Sequence, residues 1–289
     1  ARELGITLTA RGKGEKRAPL AGVPYHALET YLGRLVKKGY KIAIVEQLED
    51  PAKAKGLVKR GLVRIVTPGT IIESALLPEK ENNYIVAIAS IGEALAIAGC
   101  DLSTGEFITS PVDSVNSLLN EIHRLNPSEC IIPESLAVNK ELVGKIKSQG
   151  CFLSTQEDYF FQREKAQSIL LSHFNLSSLE AFGLEELPNN IAVCGGLLQY
   201  LVHTQKNNLT HLRKISVRSN TAMLLDGNTV RNLEIVKNMR DGSLRGTLLS
   251  VLDKTITPMG ARLLKVWLKI PLLDKENIEK RLDAVEELG

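Results

Sequence analysis

The spacing of apolar residues in the first quarter of the chain predicts a mixture of strands and one helix. Short apolar or alternating runs at 6–9, 41–47 and 62–66 are typical of strands. Between the first two runs, apolar residues recur at a helical period over 25–38, and lysines gather where the helix dipole favours positive charge. Residues 1–72 are therefore expected to form a mixed α/β domain.

A second block of strands and helices follows a linker at 73–83 that is rich in Glu, Asn and Pro. The elements predicted in this second block are strands at 84–90, 94–102, 106–109 and 130–132 and a helix at 112–125. The first three strands are joined by short turns, which is the pattern of an antiparallel meander. Strands and helices in this order predict a layered α/β domain over residues 84–188.

Helical signals dominate residues 189–289. The helix predicted at 191–206 contains Gly195 and Gly196, and a glycine pair inside a helix is costly unless another backbone packs closely there. We therefore expect a tight contact at this pair.

Side chains able to cap helices mark three further helix starts in this segment. Asn228 is the expected N-cap of a helix that runs to residue 239. Thr257 before Pro258 combines a capping hydroxyl with a proline in the first turn. Asp274, soon after Pro271 ends that helix, is expected to cap the next one.

Composition limits the class of protein. The chain has 289 residues, of which 44% are hydrophobic, enough for two or three domains. No run of about 18 apolar residues is present, so no membrane span is expected. The chain begins at Ala1 without a signal sequence, and an amphipathic run stops at Gly289, so both ends are expected to be cuts.

The cysteines show neither a metal-binding nor a disulfide spacing. They are Cys100, Cys130, Cys151 and Cys194, and they lie far apart in apolar or strand-like surroundings. We expect four reduced, buried thiols in a cytoplasmic protein.

Charge is distributed unevenly along the chain. Residues 1–70 carry 14 Lys and Arg against 6 Asp and Glu, residues 71–190 carry 7 against 17, and residues 191–289 carry 15 against 10. The net charge of +3 conceals these differences. A polyanion such as DNA would be attracted to the first segment and repelled by the second, so separate domains are expected to meet DNA and protein partners.

Two basic loops in the first domain are the best local signal for a binding site. Arg11, Lys13, Lys16 and Arg17 are interleaved with two glycines, and Lys53, Lys55, Lys59 and Arg60 form a second cluster. Basic side chains and exposed backbone N–H groups together suit phosphate contacts. The predicted contacts with DNA phosphates come from Arg11, Lys13, Lys16, Arg17, Lys59 and Arg60. A solvated surface loop is the alternative.

Signals for catalysis are weak. The chain has no phosphate-binding loop of the G-x-x-x-x-G-K-[ST] type. Its five histidines, namely His26, His123, His173, His203 and His211, have no neighbour at a ligand-like spacing. Asp101 ends a predicted strand where a metal-dependent nuclease would place a carboxylate, with Glu106 across the turn, but an Asp at a Ser-Thr-Gly turn more often caps that turn. No catalytic or metal-binding residue is predicted.

Segments along the whole chain resemble the MutS family of DNA mismatch repair proteins. The first domain carries PLAGVPYH at 19–26, AIVEQ at 43–47 and VRIVTPGT at 63–70. DLSTGEF at 101–107 is similar to the opening of that family's connector domain. TVRNLE at 229–234, SVLD at 250–253 and TPMGARLL at 257–264 resemble its core, or lever, domain.

This resemblance implies a fold and a function for each part. Residues 1–72 would belong to the mismatch-recognition domain, 84–188 to a ribonuclease H-like connector, and 189–289 to the start of the helical lever. Members of the family form clamp-shaped homodimers that bind mispaired or unpaired bases in double-stranded DNA. They use ATP and magnesium to change shape, and they recruit a MutL-type partner largely through the connector.

The chain departs from the family pattern in two ways. The family reads mismatches with a Phe-x-Glu motif, but no Phe precedes Phe107 here, so we expect that motif to lie before Ala1. The ATPase domain is expected beyond Gly289, so the chain itself is expected to hold no cofactor and to be no enzyme. A ribonuclease H-like nuclease that uses Asp101 is the alternative from another class.

Overall fold

The part of the chain described by a computed structural model contains ten β-strands and ten α-helices, which confirms the mixed α/β class. The described residues are 1–12, 14, 17–50, 56–92, 94–206, 209–218, 223 and 225–288. The strands are β1 (Thr9–Arg11), β2 (Ala18–Leu20), β3 (Ile42–Gln47), β4 (Arg60–Val66), β5 (Tyr84–Ile91), β6 (Ala94–Asp101), β7 (Glu106–Val112), β8 (Glu129–Pro133), β9 (Phe152–Gln156) and β10 (Ser216–Val217). The helices are α1 (Leu28–Lys37), α2 (Val115–Leu125), α3 (Glu134–Ala137), α4 (Lys140–Lys147), α5 (Arg163–Phe174), α6 (Pro188–Gln205), α7 (Gly227–Asn232), α8 (Leu248–Leu252), α9 (Pro258–Lys269) and α10 (Lys275–Leu288).

Two antiparallel hairpins and one helix form the first body. Strands β1 and β2 make one hairpin, β3 and β4 make the other, and α1 lies between them in sequence. The strand predicted at 6–9 is corrected, because pairing begins only at Thr9, opposite Leu20. Leu8 is 64% exposed, so its alternating pattern with Ile6 does not reflect a buried strand face.

A six-stranded sheet forms the middle body, in the order β10-β7-β6-β5-β8-β9. Strands β5, β6 and β7 form the predicted antiparallel meander, while β8 runs parallel to β5 and β9 parallel to β8. Along β5, Ile85 and Ala87 face one hydrophobic core and Val86 and Ile88 face another. A strand buried on both faces reads as a continuous apolar run, as this one does.

The glycine pair in α6 allows α5 and its preceding turn to approach closely. A Cβ added to Gly195 would lie 2.4 Å from the Cα of Ala166, and one added to Gly196 would lie 2.5 Å from the ring of Phe161. Both distances are shorter than real Cβ contacts, so the expected backbone approach is confirmed. The two helices cover one face of the sheet together.

Helix α6 packs on the middle sheet. The sequence instead predicts that residues from 189 onward belong to a separate, mainly helical domain. Its buried residues Leu197 and Leu201 lie in the same core as Ile85 of β5 and Phe107 of β7. Strand β10 also joins this sheet, parallel to β7. By packing, both elements are part of the middle body.

Helices α7 to α10 follow the middle body. The Asn228 cap is corrected: the side chain of Asp226 accepts from the backbone N of Thr229, and α7 ends at Asn232. The predicted caps at Thr257 and Asp274 are confirmed, since each accepts a hydrogen bond from a backbone N–H three residues later. Among the described residues, no helix has the length and apolar character needed to cross a membrane.

All four cysteines are buried and free of disulfide bonds, as predicted. The Sγ atoms of Cys130 on β8 and Cys151 before β9 lie 2.9 Å apart. Burial raises the pKa of the Cys100 and Cys194 thiols, which keeps both protonated at neutral pH.

Candidate nucleic-acid interface

The first basic loop is the tip of the β1–β2 hairpin. Arg11 is the last residue of β1, and Arg17 directly precedes β2. Gly12 and Gly14 have φ angles of 96° and 59°, a backbone conformation that glycine adopts without strain. Lys13 and Lys16 lie outside the described residues. The hairpin therefore places two predicted arginines at the two ends of one loop.

The second basic loop connects β3 to β4. Arg60 is the first residue of β4, and its neighbour Lys59 donates a backbone hydrogen bond to Glu49 Oε1 at 2.6 Å. The carbonyl of Lys59 accepts from the backbone N of Leu48 at 2.9 Å, which closes this end of the hairpin. Lys53 and Lys55 lie outside the described residues.

The described basic side chains of both loops are exposed and have no acidic partner in the part of the chain that the structure describes. Arg11, Arg17, Lys59 and Arg60 are all exposed, and none forms an ion pair with another described residue. By contrast, Lys38 near the end of α1 is paired with Glu3 at 2.9 Å. Between their described residues, no hydrogen bond or ion pair joins the two loops. Unpaired exposed cations of this kind can bind phosphate groups without base contacts.

A buried carboxylate that the sequence did not single out joins the first body to the middle body. Glu129 Oε2 accepts from the Thr67 hydroxyl at 2.5 Å and from the backbone N of Gly69 at 3.0 Å. Its other oxygen, Oε1, accepts from the hydroxyls of Ser154 at 2.5 Å and Tyr200 at 2.7 Å. We call these five residues the Glu129 joint.

Gly69 is required at the joint by close packing. A Cβ added there would lie 2.7 Å from the Cβ of Ile85 and 2.9 Å from the Cβ of Glu129. Residues 67–70 are all buried, so the end of the first body is held firmly against the sheet. One signal in the sequence could have pointed to this joint. Glu129 is a single acidic residue at the start of an otherwise apolar strand.

Asp101 has a structural role in its turn. Its Oδ1 accepts from the backbone N and the hydroxyl of Ser103 at 2.9 and 2.7 Å. Its Oδ2 accepts from Asn82 Nδ2 at 2.9 Å and from the backbone N of Asn83 at 3.2 Å. The turn-capping interpretation is confirmed, and a nuclease built on this residue is not supported.

Glu106, across the turn from Asp101, is also held by protein groups. It accepts from the Tyr84 hydroxyl at 2.5 Å and from an Arg218 guanidinium nitrogen at 2.8 Å. Burial, together with the Glu106 charge, raises the pKa of the Tyr84 hydroxyl, so this phenol remains a donor. The described residues contain no group of three or more His, Cys, Asp or Glu side chains placed to hold a metal ion.

Models of three protein-family domains match the chain in consecutive order. MutS domain I matches residues 1–75, MutS domain II matches 83–213 and MutS domain III matches 228–289. Together they cover nearly the whole chain, and the order is the one that the sequence resemblance implied.

Curated relatives are similar over the full length of the chain. A "DNA mismatch repair protein MutS" from Symbiobacterium thermophilum is 48% identical over 294 residues, which span 100% of this chain and 34% of the relative. The protein of the same name from Methanosarcina acetivorans is 48% identical over 306 residues, again 100% of this chain and 34% of the relative. A third, from Caldanaerobacter subterraneus subsp. tengcongensis, is 45% identical, with 100% and 33% covered. The chain therefore spans about a third of the length of these relatives.

Proposed function

The chain belongs to the MutS family of DNA mismatch repair proteins, and from this premise we propose that its first body binds double-stranded DNA through phosphate contacts. The contacts come from Arg11 and Arg17 at one hairpin tip and from Lys59 and Arg60 at the other, with Lys13 and Lys16 as further contributors. The observation that carries the proposal is that the four described side chains are exposed and have no ion-pair partner among the described residues.

Binding of this kind is expected to be weak and independent of sequence. Lysine and arginine contacts to phosphates release counterions, and they give an affinity that falls with salt but carries no base readout. The first Phe of the chain is Phe107, in β7 of the middle body, so no Phe-x-Glu wedge is assigned to the hairpins. Mismatch recognition is thus proposed for the longer MutS proteins. For this chain we propose sequence-independent binding to the phosphate backbone of DNA.

The middle body is proposed to be a ribonuclease H-like connector that meets a MutL-type protein. Three antiparallel strands followed by two parallel ones, in the order β7-β6-β5-β8-β9, support that fold assignment. The excess of acidic residues over 71–190 supports a protein partner, because this segment repels nucleic acid.

No catalytic step is assigned to these residues. ATP with magnesium would drive the clamp in the longer proteins, but this sequence has no phosphate-binding loop, so its residues do not fit that cofactor. We assign ATP binding and the homodimer to the longer MutS proteins. A cytoplasmic location is proposed from the four free thiols, which suit a reducing compartment.

The salt dependence of DNA binding tests the proposal. Fluorescence anisotropy with a labelled duplex gives the slope of log affinity against log salt between about 50 and 200 mM, and this slope scales with the number of phosphate contacts. The R11A/R17A variant is expected to flatten the slope by roughly 2. A fully paired duplex and one with a single mispair are expected to bind equally.

A matched control separates specific contacts from total charge. The K140A/K147A variant removes the same charge from exposed positions on α4 of the middle body and should leave the slope unchanged. Equal slopes for the chain and both variants would show that the hairpin tip is only solvated surface.

A further inference from the structure

A cavity of about 200 Å³ lies where the middle body meets the helices that follow it. The start of β5 and the end of α2 form one wall, and α9 with residues 236–244 forms the other. A water molecule occupies about 30 Å³ in the liquid, so the cavity has room for several waters or for a group such as phosphate.

The charge of the cavity lining is strongly one-sided. The basic side chains that line it are Arg124, Arg218, Lys237, Arg262, Lys265 and Lys269. Glu81 is the one acidic residue among the described lining residues. A partly buried space with this balance attracts anions, because burial strengthens electrostatic interactions relative to water.

Carboxylates of described residues neutralise three of these six cations. Arg124 pairs with Glu121, Arg218 with Glu106 at 2.8 Å, and Lys265 with Glu81 at 2.9 Å. The other three, Lys237, Arg262 and Lys269, form no ion pair with any described residue.

Among the described residues, the hydrogen bonds of these unpaired cations go only to backbone carbonyls. Arg262 donates to the carbonyl of Glu79 at 2.9 Å, and Lys269 donates to the carbonyl of Arg124 at 3.4 Å. Neutral carbonyl oxygens do not offset a buried positive charge as an anion does.

Lys269 carries the largest electrostatic cost at this site. It is largely buried, and burial, reinforced by Lys265, Lys237 and Arg124, lowers its pKa from 10.5 to about 8. An anion in the cavity would offset this cost and raise the pKa of the amine again.

We propose that this cavity, which we call the basic cavity, binds a small phosphate-bearing anion of the phosphate or pyrophosphate class. The guanidinium of Arg262 and the ammonium groups of Lys237 and Lys269 would supply charged donors, which form the stronger hydrogen bonds to phosphate oxygens. The bound anion would bridge α2 and β5 on one side to α9 on the other, so it would strengthen the contact between the middle body and the last helices.

Isothermal titration calorimetry of the chain with inorganic pyrophosphate tests this site. At low ionic strength, the chain is expected to bind one equivalent, and the K237A and K269M variants are each expected to bind at least tenfold more weakly. Lys237 is exposed, so K237A is expected to fold normally and tests the site without a change in the packing around Lys269. Inorganic phosphate should compete with pyrophosphate for the same site.

A control variant tests whether pyrophosphate binding is specific to this site. The K275A variant removes one charge at the start of α10, where the side chain is 87% exposed, and should bind pyrophosphate like the unmodified chain. Equal weakening by K275A and K237A would overturn the site, and so would the absence of pyrophosphate binding at millimolar concentration. A loss of affinity for duplex DNA in K237A with none for pyrophosphate would also overturn it.

Discussion

Glu129 Oε2 accepts a hydrogen bond from the backbone N of Gly69 at 3.0 Å, and this contact fixes the end of the first body to the middle sheet. The carboxylate is fully buried, and four donors share its two oxygens. Burial and the Glu129 charge raise the pKa of the Tyr200 hydroxyl, so that group stays protonated and continues to donate. The geometry makes the joint a rigid connection between the two bodies.

Removing the acceptor at the Glu129 joint is expected to destabilise the chain strongly. Glu129→Ala removes the acceptor that four buried donors share, and we expect a loss of about 4 kcal/mol in the free energy of unfolding. Glu129→Gln keeps one acceptor oxygen, and hydroxyls such as those of Ser154 and Tyr200 can rotate to accept, so the expected loss is about half as large. Urea denaturation measures both, with Glu186→Gln as an exposed control. Comparable losses in E129A and E186Q would contradict the joint.

Gly69→Ala tests the close packing at the same joint. The new Cβ would lie 2.7 Å from the Cβ of Ile85, an atom fixed by the sheet, so we expect a loss of about 2 kcal/mol. Limited proteolysis should also cut the 73–83 linker faster, because the first body is less firmly held. The control is Gly22→Ala, where a Cβ meets nothing within 4 Å. Equal cutting rates in the two variants would count against a rigid joint.

The contact between α5 and α6 predicts opposite effects for the same substitution at two helical glycines. Gly195→Ala places a Cβ 2.4 Å from the Cα of Ala166, and we expect a loss of about 3 kcal/mol since neither backbone can move freely. Gly144→Ala in α4 meets nothing within 4 Å and should gain about 0.5–1 kcal/mol from helix propensity. Thermal denaturation of both variants checks the signs, and a stabilising G195A would rule out the close approach.

The sequence predicted elements well where a periodic pattern or a local cap determines them. The meander of β5, β6 and β7 follows from apolar runs with short turns, and the Thr257 and Asp274 caps follow from local hydrogen bonding. The close approach at Gly195 was predicted on energetic grounds, but the identity of its neighbour, Ala166, depends on tertiary packing.

Features that depend on long-range contacts could not be predicted in the same way. Glu129 receives its donors from residues 25 to 71 positions away, so no local pattern reveals it. The Asn228 cap failed because Asp226, two residues earlier, offers a charged acceptor to the same helix start. The basic cavity gathers lysines and arginines from elements far apart in the chain, which total charge does not show.

The buried amine of Lys269 predicts a dependence of stability on pH. Its pKa is about 8 in the folded chain, against an ordinary value of 10.5. Between these pH values the unfolded chain binds more protons than the folded one, so the free energy of unfolding should rise with pH across that window. Arg124, Lys237 and Lys265 add to the cost of protonation. Glu81 opposes it, and the lowered pKa of His123 keeps that ring neutral throughout.

Lys269→Met is expected to remove this rise and to stabilise the chain at pH 7 by up to about 3 kcal/mol, since the methionine has no charge to desolvate. Urea denaturation in phosphate-free buffer at several pH values between about 7 and 10 measures the effect. Other groups titrate in the same window, so the difference between the variant and the unmodified chain is the quantity to compare. Lys275→Met, at an exposed position, should show the unmodified pH dependence. If K269M keeps the rise between pH 8 and 10, the amine is not the buried group that its surroundings imply.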